Sequence, residues 1–423
     1  MSGASSTSFA LPIQQVEAGG ITAWLVEDHA VPVVSIAWSW GGGSVLDPEP
    51  ALGALSLGSA LLTEGAGDLD STAFADALRD SAVGLSFSAQ RDGFDGSFRA
   101  LKPALDEAVR LARLAMTTPR LDPPAVERVR ARALAGLRQS LATPNGQVGR
   151  GFWQRAYPTH PAGRPGSGTP ESLEALDIEA IRAALARQLR REGMLVTAAG
   201  AITPAELAAL IPTLFDGLPA GRPPEAPPLP PFASFGQAVV EVPSPQSAIL
   251  FGQPGLSVQD PDWEALQVVL RVLGGGGFSS RLMQAVRVER GLTYGIGTGL
   301  DVIFSQGLVV GSTATENARV AETLSVLRAE WARMAESGPT PEELADAVAF
   351  LTGNLPLQFT DSRRIAGTLL GLRRNDRTPE WLADRPARLA ALTPERVQAV
   401  ARRVLRPETL SVVVAGQPQG LGG

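Results

Sequence analysis

The chain has 423 residues, 44% of them hydrophobic, which is more than one core usually holds and calls for two domains. With 37 basic against 43 acidic residues, a net charge of −6 and no block of like charge, it has no natural footprint for a nucleic acid or a membrane surface. The absence of cysteine and the presence of only two histidines, His29 and His160, exclude disulfides, a thiolate nucleophile and a metal site built mainly on imidazole.

The first residues, "MSGASSTSFALPIQQ", lack the charged start and apolar core of a secretory leader, and no later segment is long and apolar enough for a membrane span. The chain as written is expected to be soluble and cytoplasmic, or periplasmic if a leader has been removed. "ITAWLVED" and "VPVVSIAWSW" read as strands, followed by a glycine cluster and a helical stretch from about Ala51. "STAFADALRDSA" reads as a helix, with Asp70 or Ser71 as its cap. "LSFSAQRD" and "FDGSFRAL" read as paired strands. Two helices follow, joined at "TPRLDPP", the second with the basic face "ERVRARALAGLRQ". "DGLPAGRPPEAPPLPPF" (216–232) is a stiff, extended linker, since proline cannot donate to a helix or sheet ladder.

Beyond the linker the same order returns: strands "AVVEVP" and "SAILFGQPG", helix "DWEALQVVLRVL", a tetraglycine, helix "SSRLMQAVRVER", strands "LTYGIGTGL" and "GLVVGSTAT", then two helices joined at a proline turn. "MLVTAAGAITP" closes the first half and "TLSVVVAGQPQ" the second. Gly200 and Gly416 lie 216 positions apart, and Pro123 and Pro341 218. Nearly equal offsets predict a duplicated α+β unit: two homologous halves at 1–215 and 233–423, each a mostly antiparallel sheet packed by helices.

The chemistry concentrates in the second half. Gly274 to Gly277 invite a phosphate-cradle reading, but Phe278 and Ser279 stand where a Walker motif needs Lys and Ser/Thr, and Ser280 replaces the third glycine of GxGxxG. A connection or substrate-facing loop is the better reading. Leu282, Met283 and Val286 recur at helical spacing, Gly291 ends that helix, and Leu292 to Ile296 starts a strand. Arg287 then sits in the last helical turn and Tyr294 just inside the strand. Together they offer donors for a carbonyl or a developing oxyanion. From spacing alone, a dipole-complementing arginine and a wet tyrosine explain them better. In "GALSLGSALLTEG" (53–65), Ser56 half-resembles a nucleophile elbow, although a closely packed small-residue helix explains the pattern better. His160 reads as a loop hydrogen-bonder and His29 as a turn residue.

The order of elements, the duplication, "HPAGRPGSGTPESLEAL" (160–176) and above all "GGGGFSSRLMQAVRVERGLTYGI" resemble the M16 metallopeptidases, from about residue 15 to 416. The resemblance implies that Arg287 and Tyr294 are the pair that contacts substrate near the scissile carbonyl. It also implies that Gly274, Gly275, Gly276, Gly277 and Phe278 border a peptide chamber. The family's HxxEH zinc motif falls on Ser56, Ser59 and Ala60, and its third ligand near Gly136. Serines, alanine and glycine cannot hold zinc or activate its water, so no metal is expected in this chain. By resemblance it is the non-catalytic M16B subunit of a heterodimer, with zinc in an HxxEH-bearing partner and small unfolded peptides as substrate, a cofactor-precursor peptide among them. The alternative is a purely structural subunit.

Overall fold

The computed structural model describes residues 11–421. The opening residues on which the leader reading rests lie largely outside them. Among the described residues no helix is long and apolar enough to cross a membrane.

The first half runs β1 (Ile13–Ala18), β2 (Ile21–Glu27), β3 (Val33–Gly41), α1 (Ala54–Leu61), α2 (Ser71–Asp80), β4 (Gly84–Ala89), β5 (Gly93–Leu101), α3 (Leu105–Thr117), α4 (Pro123–Leu141), α5 (Pro144–Ala156), α6 (Pro170–Ala175), α7 (Ile178–Gln188), β6 (Met194–Gly200) and α8 (Pro204–Leu214). The second runs β7 (Gln237–Glu241), β8 (Gln246–Ser257), α9 (Trp263–Leu270), β9 (Ile296–Ile303), β10 (Gln306–Glu316), α10 (Val320–Ser337), α11 (Pro341–Gly353), α12 (Ser362–Arg374), three shorter helices and β11 (Ser411–Gly416).

The sheets are ordered β1-β2-β6-β3-β5-β4 and β7-β11-β8-β10-β9. Without the extra edge strand β1, the two orders are the same. In each, the last strand of the half lies parallel to the first (β2 with β6, β7 with β11), and every other pair is antiparallel. The duplicated α+β architecture read from the repeated landmarks is the architecture observed.

Local chemistry repeats with the topology. Trp38 faces Gly96 across β3–β5, and Phe251 faces Gly311 across β8–β10. A Cβ on either glycine would stand 2.3 Å from the facing ring, so the glycine is what lets the aromatic lie across the neighbouring strand. Trp38 then meets Phe98 and Phe215 edge-on, and Phe251 meets Trp331 in the same way. Pro123 and Pro341 both open a helix, where the missing N–H costs nothing.

The halves also exchange helices. The α5 helix, from the first half, lays Val148, Phe152 and Ala156 against Ala248, Val413 and Ala415 of the second sheet. The α12 helix, from the second half, lays Ala366 and Leu369 against Trp24, Val26, Ala37 and Ala199 of the first, and Thr197 Oγ1 donates to Ala366 O at 2.8 Å. Each sheet therefore has its own helices on one face and a borrowed one on the other. Residues 216–236 form no helix or strand. They do not hang free, because Phe232 and Phe235 pack within 6 Å of Phe152.

Candidate functional site

Helix α9 continues into a π-helical segment, Arg271–Gly275, and a second one spans Met283–Val288. The tetraglycine lies between them. Its members have different reasons to be glycine. Gly274 is buried against β9, and a Cβ there would stand 2.7 Å from Thr298 Cγ2. It is a helix-to-strand contact. Gly277 has φ +61° with nothing within 4 Å of a would-be Cβ, so conformation alone demands it there. Gly275 and Gly277 are exposed. No phosphate cradle is formed, since Gly276 O and Gly277 O turn toward the Ser279 and Ser280 hydroxyls, at 2.9 and 2.7 Å.

Arg281 anchors the far side of this loop. Its guanidinium takes both carboxylate oxygens of Glu343 at 2.8 and 2.6 Å and donates to Gly338 O at 2.9 Å. Glu343 is also the capping-box residue of α11, so the loop is tied to a helix start. Sequence reasoning passed over Arg281. The signal was an arginine in the first turn of a helix, where the macrodipole disfavours a cation and a carboxylate partner is to be expected.

Leu282, Met283 and Val286 enter the second core as their spacing predicts. Gly291 has φ +59° and its N–H donates to Arg287 O at 2.9 Å. The strand begins at Ile296, not near Leu292. Thr293 and Gly295 close a small turn instead, with Thr293 Oγ1 accepting from Gly295 N at 3.1 Å and lying 2.7 Å from Ala314 O. Tyr294 is thus on a pinned loop ahead of β9, and it is 83% exposed. The Arg287 guanidinium lies 4.5 Å from the centre of the exposed Phe278 ring, and Phe278 O is held by Gln284 Nε2 at 2.6 Å. The structure brings Arg287 and Phe278 together. Arg287 and Tyr294 do not hydrogen-bond each other, and neither side chain has a hydrogen bond or ion pair among the described residues. Their donors are unspent, beside β9, which is the edge strand of its sheet.

In the first half, Ser56, Ser59 and Ala60 lie on α1. Ser59 Oγ donates to Ser56 O at 2.7 Å, Ala60 is exposed, and Gly136 is an exposed position on α4. This donor set does not fit zinc, because its one buried hydroxyl is spent on backbone. Among the described residues no three His, Cys, Asp or Glu cluster as metal ligands. Ser56 is not at a strand-to-helix elbow, since a left-handed Gly53 and a short 3₁₀ turn precede α1. His160 caps a turn through Ala162 N at 3.1 Å and bonds Pro227 O at 3.3 Å, the role expected of a loop residue. His29 pairs with Glu27 at 2.8 Å in the β2–β3 turn.

Just before α1 lies a group the sequence reading missed, Asp47, only 1% exposed. It accepts from Leu55 N at 3.1 Å and Arg187 Nη2 at 3.0 Å, yet burial outweighs both and raises its carboxyl to about 6.

Residues 175–351, which hold the tetraglycine, Arg287 and Tyr294, match the family described as peptidase M16 inactive domain. That stretch is similar to an M16 inactive domain. A crystal structure of a peptidase M16 inactive domain from Pseudomonas fluorescens superposes with a TM-score of 0.91 at 25% identity, over 98% of this chain and 100% of that one. Over 355 residues the chain is 25% identical to a Helicobacter pylori protein named a non-peptidase homolog, covering 82% of this chain and 81% of that one. It is 31% identical over 261 residues to an uncharacterized zinc protease of Streptomyces coelicolor, covering 59% of this chain and 56% of that relative. The fold is M16-like throughout.

Proposed function

We propose that the chain is the non-catalytic, substrate-binding subunit of a two-chain zinc peptidase, supplying Arg287 and Tyr294 to a site whose metal is held by an HxxEH-bearing partner. The observation that carries this reading is a pair of unspent donors on a braced surface. Arg287 is oriented by an aromatic ring and not by an acid, and Tyr294 is presented on a loop held at both ends. A cation with no internal partner and an exposed phenol have no evident structural task. Helices interrupted by π-helical turns recur at functional sites, and here two of them flank the glycines. An extended peptide adding to the free edge of β9 would run past Tyr294. Tyr294 would then donate to the developing oxyanion and Arg287 hold the adjacent carbonyl.

The test is cleavage by the purified chain together with its zinc-bearing partner. Arg287→Ala and Tyr294→Phe are each expected to lower kcat/KM by about tenfold or more, the loss typical of a removed transition-state donor, with the assembly intact by gel filtration. If neither does so, the chain is a scaffold subunit and the catalytic assignment falls.

A further inference from the structure

A cleft of about 250 Å³ lies between the end of α4, helix α5 and the loop 163–167. Its lining includes three arginines, Arg91, Arg150 and Arg164, together with Ser140, Gly149 and Trp153, and no acidic residue. In a chain of net charge −6 this is not the average surface. Most arginines near acids here are ion-paired, whereas the side chains of Arg91 and Arg150 have neither a hydrogen bond nor a salt bridge among the described residues. Arg91 is held flat by Trp153, its guanidinium carbon 3.9 Å from the ring centre. Burial works against its charge, and Asp301 and Asp92 favour that charge only through space. Arg164 is fixed by Val45 O at 3.2 Å and buries an Nε with no partner. Glu171 feels Arg150 through space without pairing with it. Guanidinium forks held by stacking and backbone, with their donors free, are the usual means of gripping planar or tetrahedral oxyanions.

We infer that this cleft is an oxyanion-binding site, taking a carboxylate or phosphate group between Arg91 and Arg150. It stands independently of what Arg287 and Tyr294 do. Gly149 supplies the means of testing it, because a Cβ there would meet nothing within 4 Å and its helical backbone accepts any side chain. Gly149→Leu therefore fills the cleft without changing a charge, and Arg150→Ala removes a charge without filling it.

The full chain would be titrated calorimetrically at low salt with sodium pyrophosphate, and separately with a tetraglutamate peptide. Binding is expected with at least one of them, weakening as salt is raised and falling about tenfold in each variant, while unliganded melting stays within a few degrees of the parent. Response to pyrophosphate alone assigns a phosphate, and response to the peptide assigns a carboxylate. No binding by either probe, or binding that survives Gly149→Leu, overturns the inference. Should Arg150→Ala not fold, the Gly149→Leu arm decides alone.

Discussion

Single residues show how closely the two halves repeat and where they diverge. Gly200 and Gly416, noticed first as landmarks, end β6 and β11 with φ of +118° and +149°. A Cβ would stand 2.0 Å from Val33 O in one case and 2.3 Å from Ser247 Oγ in the other. Alanine at either position is expected to destabilise by about 2 kcal/mol or more in urea unfolding, because strain and clash add. Gly136 is the contrast: mid-helix, exposed, with open space where a Cβ would go. Gly136→Ala should stabilise by about 0.5–1 kcal/mol. Asp47 predicts a pH dependence. Its folded-state pKa, about 6, lies above the ordinary 3.8, so the folded chain holds a proton that the unfolded chain has released. Between those values stability from this group falls as pH rises, and it is restored on acidification from 7 toward 4, on the order of 2–3 kcal/mol. Asp47→Asn should flatten that part of the stability profile measured by denaturant melts from pH 4 to 7.

At the scale of elements, most strands and the paired helices after each hairpin were legible because their periodicity is strong and their ends carry proline, glycine or an Asx/Thr cap. The start of β9 was not. Val-rich or aromatic residues signal a strand, but "LTYG" is pulled out of the ladder by the Thr293 hydroxyl satisfying the local backbone, a competition that composition does not reveal. The π-helical turns were also invisible, since they change no side chain and only the hydrogen-bond offset. Arg287 stands four residues before Gly291 and Phe278 directly after Gly277, both marked in the sequence, yet their stacking is seen only in the folded segment. The exchanged helix α12 reads as an ordinary amphipathic helix, with nothing to say which sheet it covers. Leu369 on it is fully buried. Leu369→Ala should cost about 2–5 kcal/mol, and amide exchange should quicken in β3 and β6, the strands of the other half, where a helix covering its own sheet would quicken exchange in the second sheet.

For the whole molecule, exchange makes the halves interdependent. A chain cut within 216–232 would leave Trp24, Val26 and Ala199 uncovered on one fragment and Val413 and Ala415 on the other. Each fragment alone is expected to aggregate or melt early. Co-expressed, the two should associate into one species by light scattering, helped by the Phe304 N–H to Asp92 Oδ2 bond at 2.8 Å and the Arg374–Asp95 pair that cross the seam. Two fragments that each melt cooperatively at the temperature of the intact chain would refute this. The sequence by itself determined the duplication and the α+β class, because repeats, periodicity and residue type are properties of the linear chain. Only the tertiary structure decided that each sheet borrows a helix from the other half, that one glycine of four packs inward, and that Arg91, Arg150 and Arg164 share a cleft. Those facts depend on contacts between residues far apart in the chain, where burial and close approach, and not local preference, choose the partner.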